Sequence, residues 1–290
     1  MKHLKLFENK SQYDTYSQSI EAILPNVSYV AEDNLVYYNP FIDYSKEYMY
    51  FEALEDGMTV SFNNESSVSL YYSLDKQEWN ELTGETPAVN SGEKVYIKLD
   101  NLDTELNNGI GRFTINKQCN VAGNIMSLLF GDNFIGKTDL TEYVSMFSSL
   151  FYNCEVLKSA KNLILPATTL ANYCYNSMFN GCTGLTTAPA LPATTLASSC
   201  YSNMFMGCTS LTIAPELHAT ELAQACYYCM FNGCTSLNYI KMLATDISAS
   251  NCLGAWVYNV SPTGTFVKAD GVEIPSGVSG IPSGWTVQTV

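Results

Sequence analysis

The strongest constraint on this chain is a repeat of 26 residues, present in three in-register copies. The copies read LPATTLANYCYNSMFNGCTGLTTAPA from Leu165, LPATTLASSCYSNMFMGCTSLTIAPE from Leu191 and LHATELAQACYYCMFNGCTSLNYIKM from Leu217. A degenerate copy follows at Leu243 (LATDISASNCLGAW), and a partial one, FYNCEVLKSAKNL, precedes the set at Phe151 to Leu163. A fixed period of this length marks a stacked architecture, because one copy alone cannot bury its apolar face and must lay it on the next.

Each copy predicts its own local structure. Leu170, Cys174 and Met178 are four apart, as are Leu196, Cys200, Met204 and Leu222, Cys226, Met230, which is the spacing of one helical face turned inward. Gly181, Gly207 and Gly233 follow, where a helix end wants a residue free to take positive φ. A short extended stretch then carries Leu185, Leu211 and Leu237 as inward anchors, and such strands would pair in parallel about 4.8 Å apart. The expectation is a short leucine-rich-repeat solenoid over residues 121–255, with one parallel strand and one helical segment per turn. Its ends need covering, and residues 256–290, with GTFVKA and GWTVQTV as strands, are expected to form a C-terminal β cap.

Eight of the ten cysteines recur with the repeat. Cys174, Cys200, Cys226 and Cys252 form one series at 26 residues and Cys182, Cys208 and Cys234 another, which Cys154 extends at a step of 28. Residues recurring once per copy stack above one another, so each series reads as a ladder of small buried thiols. Disulfides or a metal are the alternative; the single C-x-x-C, at Cys226 and Cys229, has no second pair and no neighbouring histidine.

The amino-terminal half is built differently. YMYFEAL, GMTVSF, SVSLYYSL, KVYIKL and GRFTIN alternate and are rich in β-branched and aromatic residues, with LEDG, NNES and NSGE between some of them. They predict an antiparallel β-sandwich-like domain over 46–120. Before it, residues 1–45 are expected to hold a hairpin of NVSYV and LVYY around AEDN, with a short helix over Ser11 to Ile23. The whole is a β-rich α+β chain.

Charge narrows the partners. The 290 residues carry a formal net charge of -14, and Arg112 is the one arginine. A nucleic acid or an anionic membrane surface needs clustered cations, so neither is an expected partner. Between Leu163 and Ala255 the charged residues are Glu216, Glu221, Lys241 and Asp246, which leaves the repeats an outer surface of Thr, Ser, Asn and Tyr. No run is long and apolar enough to span a membrane, and the start lacks the apolar core of a secretory signal. A cell-surface or extracellular location then implies a leader already removed; the alternatives are a phage particle or the cytoplasm.

One motif invites a catalytic reading. Gly131, Gly136, Lys137 and Thr138 match G-x-x-x-x-G-K-[ST], a loop whose amides would cradle phosphate, with Lys137 on the terminal phosphate and Thr138 on magnesium. Asp132 and Phe134 place a charge and a ring where such a loop is small and neutral, so the motif reads as a turn leading into the repeats. The histidines, His3 and His218, lack partners for a triad or a metal site. No enzyme activity, cofactor or metal is expected.

The tyrosines are more informative. Tyr175, Tyr201, Tyr227, Tyr228 and Tyr239 stand beside the inward anchors and are the candidate surface-binding residues; exposed rings among Thr, Ser and Asn suit sugar stacking or protein recognition. The competing reading packs most of these rings between copies.

The phrase M-F-x-G-C-T-S-L, preceded by LPATTLA, resembles the BspA-like leucine-rich-repeat surface proteins of anaerobic gut bacteria over about residues 145–255. GTFVKA and SGIPSGWTV are similar to the ends of many such proteins, and LPNVSYVAEDNLVYYNP resembles a segment found in them and in phage structural proteins. The resemblance implies a non-catalytic adhesion protein that presents its repeats to a host or bacterial surface protein or glycan. The alternative it implies is a host-recognition component of a phage tail or fibre.

Overall fold

The alternating runs of the amino-terminal half become strands. In the computed structural model, which describes residues 43–64, 68–100 and 109–290, these are β1 (Met49–Ala53), β2 (Val60–Asn64), β3 (Leu70–Ser73), β4 (Asn80–Glu81), β5 (Lys94–Leu99), β6 (Gly111–Ile115) and β7 (Cys119–Asn124). The hairpin of NVSYV and LVYY and the helix over Ser11 to Ile23 lie outside the described residues. β1 is buried almost throughout because it is an inner strand: Phe51 faces Val95 of β5 on one side and Val121 of β7 on the other, both antiparallel.

These strands do not close into a separate antiparallel sandwich. β8 (Leu157–Ile164), from the partial repeat, pairs parallel with β7, giving a mixed six-stranded sheet ordered β4-β3-β5-β1-β7-β8, while β2 and β6 form a two-stranded antiparallel pair. The junction requires close approach: Gly123 takes φ 83°, and a Cβ there would run into the carbonyl oxygen of Tyr48.

The leucine-rich solenoid with a helical segment per turn is likewise corrected. The one α-helix among the described residues is α1 (Ser127–Phe130), and the copies contain none. A three-stranded parallel sheet, β11 (Thr286–Thr289), β10 (Thr265–Lys268) and β9 (Tyr239–Met242), completes the β structure.

The segments read as helical are runs of four-residue turns. The N–H groups of Cys174, Asn176, Met178, Asn180 and Cys182 donate to carbonyls three residues back, at 3.0–3.4 Å. The alternate N–H groups, of Tyr173, Tyr175, Ser177, Phe179 and Gly181, donate to the next copy, at Ser198, Cys200, Ser202, Met204 and Met206, over 2.8–3.0 Å. An α-helix would send all of them to residues four back within the same segment. Here half of the backbone is satisfied only by stacking, so these segments depend on their neighbours for structure as well as for burial.

Every fourth residue supplies the bend. Tyr173, Ser177 and Gly181 have φ of 57°, 53° and 76°, at the third position of successive turns, where a type II turn needs positive φ. The pattern recurs at Ser199, Asn203, Gly207 and at Ala225, Cys229, Gly233. Each non-glycine there costs roughly 1 kcal/mol, which the ladder to the next copy must offset. Space does not select Gly207 or Gly233, where a Cβ would sit 3.8 and 3.6 Å from the glycine of the preceding copy, an ordinary contact; at Gly181 it would run into the Asn153 side chain.

This geometry turns two consecutive residues in and two out. Leu170, Cys174 and Met178 are buried, and so are Ala171, Tyr175 and Phe179 one residue on. Aromatic rings therefore stack in two columns. Phe147, Tyr175, Tyr201, Tyr227 and Trp256 follow one another at 5.7–6.3 Å, and Phe151, Phe179, Phe205 and Phe231 at 5.2–5.7 Å before the second column also reaches Trp256 at 6.0 Å. Phe151 also stacks on Phe113 of β6, which joins the columns to the amino-terminal strands. Just ahead of the partial copy, Ile110 and Phe113 donate to the carbonyls of Met146 and Leu150; at the last copy, Val257 donates to Val278 and the Trp256 indole to Gly280.

All ten cysteines are free and buried. The thiols of Cys182, Cys208 and Cys234 donate to the carbonyls of Phe151, Phe179 and Phe205, each in the preceding copy, at 2.9–3.1 Å. Burial pushes the Cys154 thiol up to about 11 and those of Cys174 and Cys234 up to about 12. A thiol held neutral in the fold but free to ionise when unfolded stabilises fully below its ordinary pKa, and that contribution falls as pH rises towards the folded value. We therefore expect the unfolding free energy obtained from urea titrations to drop between about pH 9 and 12, by roughly 1 kcal/mol per pH unit for each such thiol. A bulky thiol reagent at pH 8 should label native protein hardly at all, and all ten sites once unfolded. Rapid labelling of folded protein would contradict these ladders.

Candidate binding surfaces

The five candidate tyrosines separate cleanly. Tyr175, Tyr201 and Tyr227, taken from the sequence as surface-binding residues, are at most 1% exposed, and the hydroxyl of Tyr175 finds no hydrogen-bond partner among the described residues. They belong to the aromatic column and carry no recognition. The cause is the two-in, two-out period, which places the residue after each inward cysteine inside as well. Tyr228 is 42% exposed, on an outward position of its run; Tyr239 is half-buried at the start of β9. The sequence reading missed Tyr258 as a surface ring, and did not choose Tyr173; these are 55% and 46% exposed.

A second outward feature was also missed. Thr138, Thr168, Thr194, Thr220 and Thr245 are all exposed and follow one another across successive copies. Backbone bonds link the first three and the last two: Thr168 donates to Thr138, Thr194 to Thr168 and Thr245 to Thr220. The signal was present in the A-T-T-L, A-T-E-L and A-T-D-I tetrads, whose first threonine recurs in every copy.

The phosphate-loop motif is taken up by structure. Asp132 accepts from Lys98 at 2.7 Å and from the Tyr48 hydroxyl at 2.7 Å, and the Lys98 ammonium holds its carboxyl below the ordinary range. Phe134 is buried against the Tyr48 ring, Lys137 lies over the ring of Phe130 at 5.0 Å, and no helix follows Thr138 to aim a dipole at phosphate. His218 is exposed, 3.7 Å from a Glu216 carboxylate that also accepts Lys241 at 2.9 Å.

Two depressions lie side by side where β6 meets the first run of turns. The larger, about 380 Å³, is lined by Arg112 to Ile115 and by Tyr152 to Val156. The smaller, about 230 Å³, is lined by Gly111, Arg112, Ser148, Ser149 and Tyr152. Arg112 and Tyr152 form the wall between them, the guanidinium carbon 5.8 Å from the ring centroid. β6 fixes the arginine through its pairing with Asn63, and a turn closed by the Tyr152 N–H on Ser149 fixes the ring.

No helix among the described residues is long and apolar enough to cross a membrane. No family model, curated protein or solved structure matches this chain.

Proposed function

We propose that this chain is a non-catalytic binding protein that presents the outer surface of its stacked copies to a host or bacterial surface protein or glycan. The observation that supports this reading is the pairing of exposed rings with an exposed polar rank on a nearly uncharged segment. Tyr173, Tyr228 and Tyr258 stand out among Ser, Asn and Gln, and the threonine rank repeats once per copy. A rigid ring with a polar tip binds with little loss of conformational entropy, and hydroxyls spaced by the repeat meet a partner over several copies at once.

The test is a glycan-array and surface-protein binding screen of the full chain beside a Tyr173→Ser/Tyr228→Ser/Tyr258→Ser variant. The expected result is a binder of the parent that loses about tenfold or more in affinity with the variant, since each exposed aromatic anchor contributes about 1 kcal/mol or more at a recognition surface. Unchanged melting would show that the loss is one of contact. Equal binding by both proteins would remove the tyrosine surface from recognition.

A further inference from the structure

We infer that the paired depressions around Arg112 and Tyr152 form a binding site for a sugar acid, a polyhydroxylated ring carrying a single carboxylate. This inference stands on the junction of β6 with the first run of turns and does not depend on the reading of the repeat surface.

Several cations in this protein are held by carboxylates or by aromatic rings. Lys76, Lys98 and Lys241 are each paired with a carboxylate, at 2.9, 2.7 and 2.9 Å, whereas Lys94 and Lys137 lie over the rings of Tyr50 and Phe130 at 4.5 and 5.0 Å. The Arg112 side chain, half-buried in a chain with 28 acidic residues, has no ion pair or hydrogen bond among the described residues; its contact is the face of Tyr152. A guanidinium over a ring keeps its edge free, and that edge offers a planar fork of N–H donors matched to carboxylate geometry.

The groups around it divide by chemistry. The smaller depression adds the side chains of Ser148 and Ser149, which have no hydrogen-bond partner among the described residues, and none of its described lining residues is an acid. The larger adds Asn153 and Glu155, also without side-chain partners there. A ligand carboxylate belongs in the smaller space, on Arg112 and the serine hydroxyls, away from Glu155. Glu155 and Asn153 face the other pole, where a carboxylate and an amide accept from and donate to sugar hydroxyls. Tyr152 borders both spaces with an apolar ring, on which the C–H face of a sugar packs. The larger space is within the usual range of small-molecule sites.

Charge limits the ligand further. One guanidinium neutralises one carboxylate, whereas the net charge of -14 repels polyanions at long range. A doubly charged phosphate would leave one negative charge that the single guanidinium does not neutralise.

The experiment is calorimetric titration of the full chain with D-glucuronate, N-acetylneuraminate, D-glucose and inorganic phosphate. We expect binding of one or both sugar acids, with glucose and phosphate each at least tenfold weaker. Preference for glucuronate would name a uronic-acid glycan as the source, and preference for N-acetylneuraminate a sialylated one; either supports the site. Arg112→Gln should lower sugar-acid affinity by about tenfold or more, and Arg112→Lys by less, since the charge survives and the fork does not. Glu155→Gln should weaken the sugar acids while leaving phosphate as it was. Both side chains reach the surface, so melting should be unchanged in all three variants. Glucose binding equal to glucuronate, phosphate binding as tight as the sugar acids, no binding of any probe, or an Arg112→Gln variant of undiminished affinity would each overturn the proposal.

Discussion

Leu211→Asp should leave the protein without a stable fold at ordinary temperatures. Leu211 is fully buried, as are its equivalents Leu185 and Leu237, and its N–H closes a turn on Cys208 at 3.1 Å. Removing the leucine side chain alone costs about 2–5 kcal/mol, and a carboxyl in its place must be desolvated or protonated, at several more. The sum is comparable to the whole stability of a typical domain, about 5–15 kcal/mol. Thr212→Asp, one residue on and exposed, should change stability by no more than about 0.5 kcal/mol. Thermal unfolding of both separates the outcomes: a Leu211→Asp protein that melts with the parent would mean that the inward and outward positions are misassigned.

Trp256→Ala should cost about 3–5 kcal/mol, the usual loss for a buried large aromatic. This side chain closes both columns: it meets Tyr227 at 6.3 Å, Phe231 at 6.0 Å and Phe266 of β10 at 6.1 Å, and its indole donates to Gly280 at 2.8 Å. The damage should concentrate at the carboxy-terminal end, where β10 loses the ring that Phe266 packs against. Limited proteolysis should then cut within residues 256–290 of the variant well before the parent. Trp256→Phe keeps a ring but not the indole donor and should cost more modestly, about 1–3 kcal/mol for the orphaned carbonyl and the lost volume. If Trp256→Ala unfolds at the same urea concentration as the parent, the convergence of the columns on this residue contributes nothing.

Much of the organisation was legible in the sequence because it repeats. The 26-residue step alone places Cys174 above Cys200 and Leu185 above Leu211, since equal spacing along a stack can only mean columns. The strand segments of the amino-terminal half were legible for a related reason: YMYFEAL and KVYIKL combine β-branched and aromatic residues with turn residues nearby, and they became β1 and β5.

The turn segments read as helical because a spacing of four fits two structures. A strict step of four drifts by about 40° per step around an α-helix but stays in place along a run of four-residue turns. Two inward residues per period, as in Cys174 with Tyr175 and Met178 with Phe179, were the distinguishing signal, and they are what moved Tyr175, Tyr201 and Tyr227 from the surface into the core.

What the sequence determined by itself is therefore the periodicity: which residues recur, that they stack, and that the repeats are nearly without charge. Only the tertiary structure decided the rest. Half of the turn N–H groups find acceptors in the next copy, β7 joins β8 in parallel across a long intervening stretch of chain, and Arg112 meets Tyr152 without a carboxylate between them. Each is a contact between residues distant in sequence, set by which backbone groups and side chains remain unsatisfied when the copies close on one another. No local pattern encodes that.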